Sequence, residues 1–351
     1  MSGMLQPGAL AALAALAAFA VVSVRADAGG PSAIDPQLRR VLAEELRFSP
    51  GDLAALARGR VAKHNLPTHD SHEVAVVGAV RVQASRAAFL DRFRDIATFK
   101  RGPSVPEVGR FSSPPALADL ATFSLDEKDV DALRKCRPGA CDLQLPNEVI
   151  ARFQGIDWSR PDARRDATDL MKRVLVEHAT SYLEHGAGEL SRYDDDGKAF
   201  RPAEEFAELV KSSPYIGALV PALPDYIERF PSMPLPGAEN FLYWSVERFG
   251  FSPFISLTHV TIAHAPPGAN VITSKDVYSS RYFDTSLGLT IASDAPERPG
   301  TFYLIYVNRS RAPALGGFFS GLRHSIVERR VRDGMEQNLI AVKTRLERGA
   351  D

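Results

Sequence analysis

A run of 36 residues near the end, Pro313 to Arg348, constrains the fold of this chain more than any other stretch. Leu315, Phe319, Leu322, Ile326, Val327, Val331, Met335, Leu339, Val342 and Leu346 recur at helical spacing, and Arg323, Arg329, Arg330, Arg332, Glu336 and Lys343 fill the gaps between them. That pattern predicts one long amphipathic helix with a single apolar stripe. At ~1.5 Å of rise per residue it would run ~50 Å, so it needs a broad apolar surface to lie on.

The segment just before it offers such a surface. From Asn240 the hydrophobic period changes to two, predicting strands over Asn240 to Phe249, Phe254 to Ala265, Asn270 to Tyr278 running into Ser279 to Ala292, and Thr301 to Arg309. Pro266-Pro-Gly-Ala-Asn270 and Asp294-Ala-Pro-Glu-Arg-Pro-Gly300 separate them as hairpin turns, which makes the group an antiparallel meander. Far upstream, Glu73 to Val82 reads as one more strand, and Ser85 caps a helix over Ala87 to Phe99. The fold class expected is α+β: a curved antiparallel sheet gripping a long C-terminal helix, with a large helical insertion.

The insertion spans 112–235. Ser124-Leu-Asp-Glu127 has the form of a capping box, and helices are expected over Asn147 to Phe153, Asp162 to Tyr193, Pro202 to Lys211 and Ile216 to Arg229. Residues 29–111 then hold two short helices and the first strand–helix pair, and 236–351 the meander and last helix. Cys136 and Cys141, the only cysteines, flank a Pro-Gly turn and are expected to form a disulfide.

That pairing suits an oxidising compartment, and the start of the chain points the same way. Ala9 to Val24 is an uncharged apolar run, and Ala26-Asp27-Ala28 supplies the small residues read by a signal peptidase, so residues 1–28 are expected to be a signal peptide cleaved after Ala28. An uncleaved anchor is the alternative, although about 16 apolar residues fall short of the ~20 that a membrane span needs. A periplasmic or secreted location follows. With Lys plus Arg at 42 and Asp plus Glu at 43, the formal net charge of −1 gives no electrostatic case for nucleic acid.

The order strand (73–82), helix (87–99), meander (240–309), long last helix (313–348) resembles the START-like, or helix-grip, superfamily. Gly78-Ala-Val-Arg-Val82, Thr301-Phe-Tyr-Leu-Ile-Tyr306 and the final helix carry the likeness, which is one of element order over about 200 residues rather than of a motif. The resemblance implies a hydrophobic or lipid-like ligand held between sheet and helix.

Within the meander, alternation along Val277 to Ile291 puts Arg281 on a face with Val277, Phe283 and Leu287, and Tyr278, Tyr282 and Asp284 on the other, with Lys275 just upstream. Arg281 could anchor a ligand carboxylate or phosphate; the plainer reading is that the strand end emerges into solvent there or that Arg281 pairs with a nearby acid. His259 is the histidine expected to be enclosed, whereas His178 and His185 are expected to face water. The ligand-binding candidates are therefore His259, Lys275, Tyr278, Arg281, Tyr282 and Asp284. His69 and His72 lack a third ligand, and Asp194-Asp-Asp-Gly197 places Arg192 and Ala203 where a calcium loop needs oxygen donors, so no metal is expected. Neither G-x-S-x-G nor a phosphate-binding glycine loop occurs, so no catalytic residue and no cofactor is nominated. The reading is a periplasmic binding or carrier protein for an amphipathic, lipid-like ligand. Its alternatives are an enzyme using the same cavity and a module whose helical block docks onto an envelope protein.

Overall fold

The computed structural model describes residues 34–68, 70–189, 193–195, 198–248, 252–265, 267–312 and 320–349. The proposed signal peptide, His69, Gly316 and Gly317 lie outside them. Short helices α1 (Pro36–Arg40) and α2 (Pro50–Ala57) come first, α2 opened by a Ser49–Asp52 capping box. Next come β1 (Ala62–Asn65), β2 (Glu73–Val82), α3 (Arg86–Arg94), α4 (Ile96–Lys100) and β3 (Glu107–Arg110). The helical block follows: α5 (Glu127–Lys135), α6 (Asn147–Gln154), α7 (Ala163–His185), a small hairpin of β4 (Tyr193–Asp195) and β5 (Lys198–Phe200), α8 (Pro202–Lys211) and α9 (Leu223–Arg229). The meander is β6 (Glu239–Glu247), β7 (Phe254–Ala265), β8 (Ala269–Ser279), β9 (Thr285–Asp294) and β10 (Phe302–Arg311), and α10 (Ser320–Arg348) closes the chain.

Eight strands form one antiparallel sheet in the order β1-β2-β10-β9-β8-β7-β6-β3. The meander thus builds the centre, and β2 pairs along the whole of β10, from Val82 opposite Phe302 to Glu73 opposite Arg311. Helices cover both faces. On one face α3, α4 and α10 pack with Val76, Val80, Phe302 and Leu304. On the other, α1, α2, α8 and α9 cover Ala79, Ile291 and Ile305, while α5, α6 and α7 cover Trp244, Ile255 and Leu257. The helical block therefore packs on the sheet through two clusters, α8 and α9 in one and α5, α6 and α7 in the other.

Several local expectations change. The helix after β2 breaks at Asp95, whose side chain caps α4 through Thr98 N. Asp126, not Ser124, caps α5 by accepting from Asp129 N. Gly186, at φ 78°, ends α7 eight residues before Tyr193 would have been reached, because a left-handed residue stops the helix. The strand expected through Ser279 also breaks: β8 stops there, Ser280 to Asp284 turn the corner with Tyr282 at φ 70°, and β9 begins at Thr285.

The surface beneath α10 is also not the one expected. The helix lies along β2 and β1 rather than across the meander: Lys63 of β1 reaches Asp333 and Glu336, and Lys343 donates to the Arg81 carbonyl. Gly78 makes this approach possible, since a Cβ there would stand 2.6 Å from Met335 Sδ and 2.9 Å from Leu339 Cδ1. Cys136 and Cys141 form a disulfide across a Cα–Cα distance of 4.4 Å at the end of α5. No helix among the described residues is long and apolar enough to cross a membrane.

Candidate functional site

The central strands carry most of the buried polar side chains, and β8 carries two charged ones in succession. Lys275 points to the face covered by the helical block. It stands opposite His259 of β7 and Leu287 of β9. Asp276 follows on the face shared with α10, opposite Thr258. A register shift between Leu257 and Thr258 leaves an extra residue, Val277, in β8. Pairing with β9 ends at Lys275–Leu287, so beyond it β8 continues against β7 alone and the two strands part.

A cleft of about 240 Å³ occupies the space beside that parting. Its floor is Lys275 to Ser279 and Phe283 to Thr285, and its opposite wall comes from α6, α7 and the start of α8. Val149, Val174, Leu175 and Phe206 give the wall an apolar surface. At the rim, Arg152 of α6 is held bidentately by Glu177 of α7, at 2.6 and 3.0 Å. Of the residues nominated from sequence, Lys275, Tyr278 and Asp284 line the cleft.

His259 sits behind the floor in a closed network. Its Nε2 lies 3.0 Å from Asn240 Oδ1, an acceptor, so Nε2 carries the proton and Nδ1 accepts from Tyr182 OH at 2.8 Å. Thr261 donates to the same Asn240 oxygen. Burial, with the Lys275 charge beside it, pushes the imidazole pKa down to about 3. His259 is thus a neutral core histidine at ordinary pH. Lys275 donates to the Ile227 carbonyl at 3.0 Å and lies 3.9 Å from the centroid of the Phe206 ring. Burial pulls its pKa down to about 7, against the opposing pull of Glu228.

Tyr278 packs its ring on His178, with centroids 5.3 Å apart, and its buried hydroxyl has no hydrogen-bond partner. His178 does not face water as expected. Its Nε2 bonds the Val277 carbonyl at 3.1 Å, and burial lowers its pKa, whereas His185 is exposed. Arg281 is paired with Asp129 of α5 and donates to the Pro253 carbonyl. Both members of that ion pair are buried, so of its two sequence-level readings the geometry matches pairing with an acid. Tyr282 OH accepts from Ser252 N and donates to Ser252 O, which pins the corner outside the cleft. The corner and the bulge each reset the alternation, and so Arg281 and Tyr282 fall away from the other candidates.

Asp276 was not nominated from sequence, although an acid beside a lysine in mid-strand is a visible signal. One of its carboxylate oxygens accepts from Thr258 at 2.7 Å and from Ser256 at 3.4 Å. Burial raises its pKa to about 7, opposed by Lys100 and assisted by Glu247. Lys100 itself is engaged by Glu247 at 2.6 Å and by Tyr243 OH at 3.0 Å. Among the described residues no group of His, Cys, Asp and Glu is arranged to hold a metal ion. The arrangement can enclose a small molecule with an apolar body and present polar groups to one end of it. Comparison with known proteins returns no matching family model, no matching curated protein and no matching solved structure.

Proposed function

We propose that this chain is a binding or carrier protein for a small amphipathic molecule, which occupies the cleft between the helical block and the parted ends of β8 and β9. The carrying observation is the mixed lining: an apolar wall from α6, α7 and α8 faces a floor bearing Lys275 and Tyr278, with His178 and Arg152 at its sides. Pockets of this composition bind through burial of the apolar part and orient the ligand with a few polar groups. The sequence resemblance to helix-grip proteins placed the ligand between the meander and the last helix. In this proposal the helical block, on the opposite face from α10, takes the role of the gripping wall. The order of β2, α3, the meander and α10 supports a helix-grip relationship, and the disulfide supports an exported, periplasmic setting.

Isothermal titration with eight-carbon amphiphiles tests the reading. Saturable one-to-one binding is expected, weakened at least tenfold by Val149→Phe, which adds bulk to the wall. Absence of saturable binding by every such probe would remove the proposal.

A further inference from the structure

The sheet face that carries α10 changes character along its strands. Toward one end Val80, Val82, Phe302, Leu304, Ala292 and Ile262 are buried in the core shared with α3, α4 and α10. Toward the other, beyond Gly78 and Ile272, the same face turns polar, with Thr258 of β7, Ser274 and Asp276 of β8, Ser286 of β9, and Asn308 and Ser310 of β10. At a sheet edge such groups would simply meet water. Here β9 and β8 stand fourth and fifth in the order of eight strands, yet Ser274, Asp276, Tyr306 and Asn308 are only partly buried.

Most of these polar groups satisfy one another. Ser310 bonds Ser286 at 2.9 Å and Asn308 at 2.8 Å, and Lys100 of α4 is held by Glu247 at 2.6 Å and by Tyr243 OH at 3.0 Å. Two atoms are left over. The hydrogen bonds from Thr258 and Ser256 both go to Asp276 Oδ1, so among the described residues Oδ2 has no partner, and neither has Ser274 Oγ. Beside them the floor is low: Gly288 of β9 pairs with Ser274, and a Cβ on it would stand 3.4 Å from both Ser274 Cβ and Tyr306 OH. Glycine inside a strand is expected where something approaches the backbone closely.

The charges around these atoms do not balance. Asp276 and Glu247 face one ammonium, Lys100, and Glu247 holds it. The arginines at this end of β10 turn to the opposite face, where Glu73 engages Arg309, and Asp70 and Glu205 engage Arg311. With both carboxyls ionised the described cluster is one positive charge short, and what surrounds the unmatched carboxylate is hydroxyl-bearing rather than apolar.

We infer that this polar half of the α10 face is a second binding site, separate from the cleft across the sheet, for a small hydroxylated primary amine whose ammonium donates to Asp276 Oδ2 and whose hydroxyl meets Ser274 Oγ. Three N–H donors and an alcohol group match a free carboxylate oxygen flanked by hydroxyls. The site carries its own pH dependence. Burial holds the Asp276 pKa at about 7, opposed by Lys100 and assisted by Glu247. Lys100, which burial would lower but Glu247 lifts, and Tyr243 and Tyr306, which burial lifts, keep their protons from pH 6 to 8. Only ionised Asp276 takes the ammonium, so affinity falls about tenfold from pH 8 to pH 6.

The test compares serinol, glycerol and glycerate, hydroxylated three-carbon probes that differ in bearing an amine, a hydroxyl or a carboxylate, by NMR titration at pH 8. Serinol is expected to bind at least tenfold more tightly than the other two. Asp276→Asn is expected to erase that preference and its pH dependence while leaving octanol binding in the cleft as it was, and Ser274→Ala to weaken serinol severalfold; thermal unfolding checks that both variants fold. Vesicles carrying an ethanolamine phospholipid displace serinol if the amine belongs to a lipid head group and leave it bound if the amine is a free solute, and serinol selectivity is required in either case. Equal binding of the three probes, or binding of none, would overturn the inference and spare the cleft. Selectivity that survives Asp276→Asn, or serinol affinity that is flat from pH 6 to 8, would overturn the role given to Asp276 and the site with it.

Discussion

Arg281 shows how a charged residue on an apolar strand face can serve packing, by the second of its two sequence readings. Its guanidinium and the Asp129 carboxylate are both buried, and together they fasten α5 to the β8–β9 corner. Burial alone would raise the Asp129 pKa, and the arginine opposes that rise. Arg281→Met should therefore destabilise the protein by about 3–5 kcal/mol, because it strands a carboxylate away from water. Urea unfolding measures this, and Arg281→Met combined with Asp129→Leu should recover most of the loss. A change below about 1 kcal/mol in the single variant would show that the pair holds nothing together. Tyr278 and Lys275 were visible as candidates because they interrupt an apolar alternation. Their partners, His178 against the Tyr278 ring and Phe206 beneath the lysine, come from helices tens of positions away, and no local pattern announces them.

At the scale of elements, the strands and the last helix were legible because their periodicity is long and regular. Phe254–Ala265, Glu73–Val82 and Pro202–Lys211 match their sequence boundaries. What periodicity misses are the interruptions: the bulge at Val277, the corner from Ser280 to Asp284, and the break at Asp95. Each is a place where tertiary contacts outweigh the repeat. The seat of α10 is of the same kind. Any apolar face would satisfy its stripe, and β2 offers Gly78 where the helix comes close. Gly78→Ala should cost about 1–3 kcal/mol by overpacking against Met335 and Leu339. In a Met335→Ala background the same substitution should cost much less, and a double-mutant cycle by chemical denaturation reads the difference. Equal cost in the two backgrounds would place the strain elsewhere.

Across the whole molecule, buried ionisable groups on the two faces of the sheet make opposite demands on pH. His259 has its folded pKa depressed from 6.5 to about 3, so the stability it contributes is complete above pH 6.5 and is lost as pH falls toward 3. Asp276 has its folded pKa raised from 3.8 to about 7, so its contribution is complete below 3.8 and is lost as pH rises toward 7. Between these limits the two slopes oppose each other, each at most about 1.4 kcal/mol per pH unit. Asp276→Asn should therefore steepen the loss of stability on acidification from pH 6.5 to 4, and His259→Gln should shallow or reverse it. Urea midpoints measured across that window decide the matter, and parallel profiles for the two variants would refute the coupling.

By itself the sequence determined the class of this protein: the long strands and the long helices, that the strands from Asn240 onward form an antiparallel meander, and that the two cysteines lie close enough to join. These follow from local preference and hydrophobic period, which act over a few residues and leave their mark in order along the chain. The tertiary structure decided which face of the sheet each helix covers, that α10 rests on β2, that β8 and β9 part after Lys275 and Leu287, and hence that a cleft exists there. Those outcomes depend on contacts between residues tens to hundreds of positions apart. Whether a polar side chain in a strand becomes a core partner, as His259 does, or lines a cleft, as Tyr278 does, depends on what the rest of the chain packs against it.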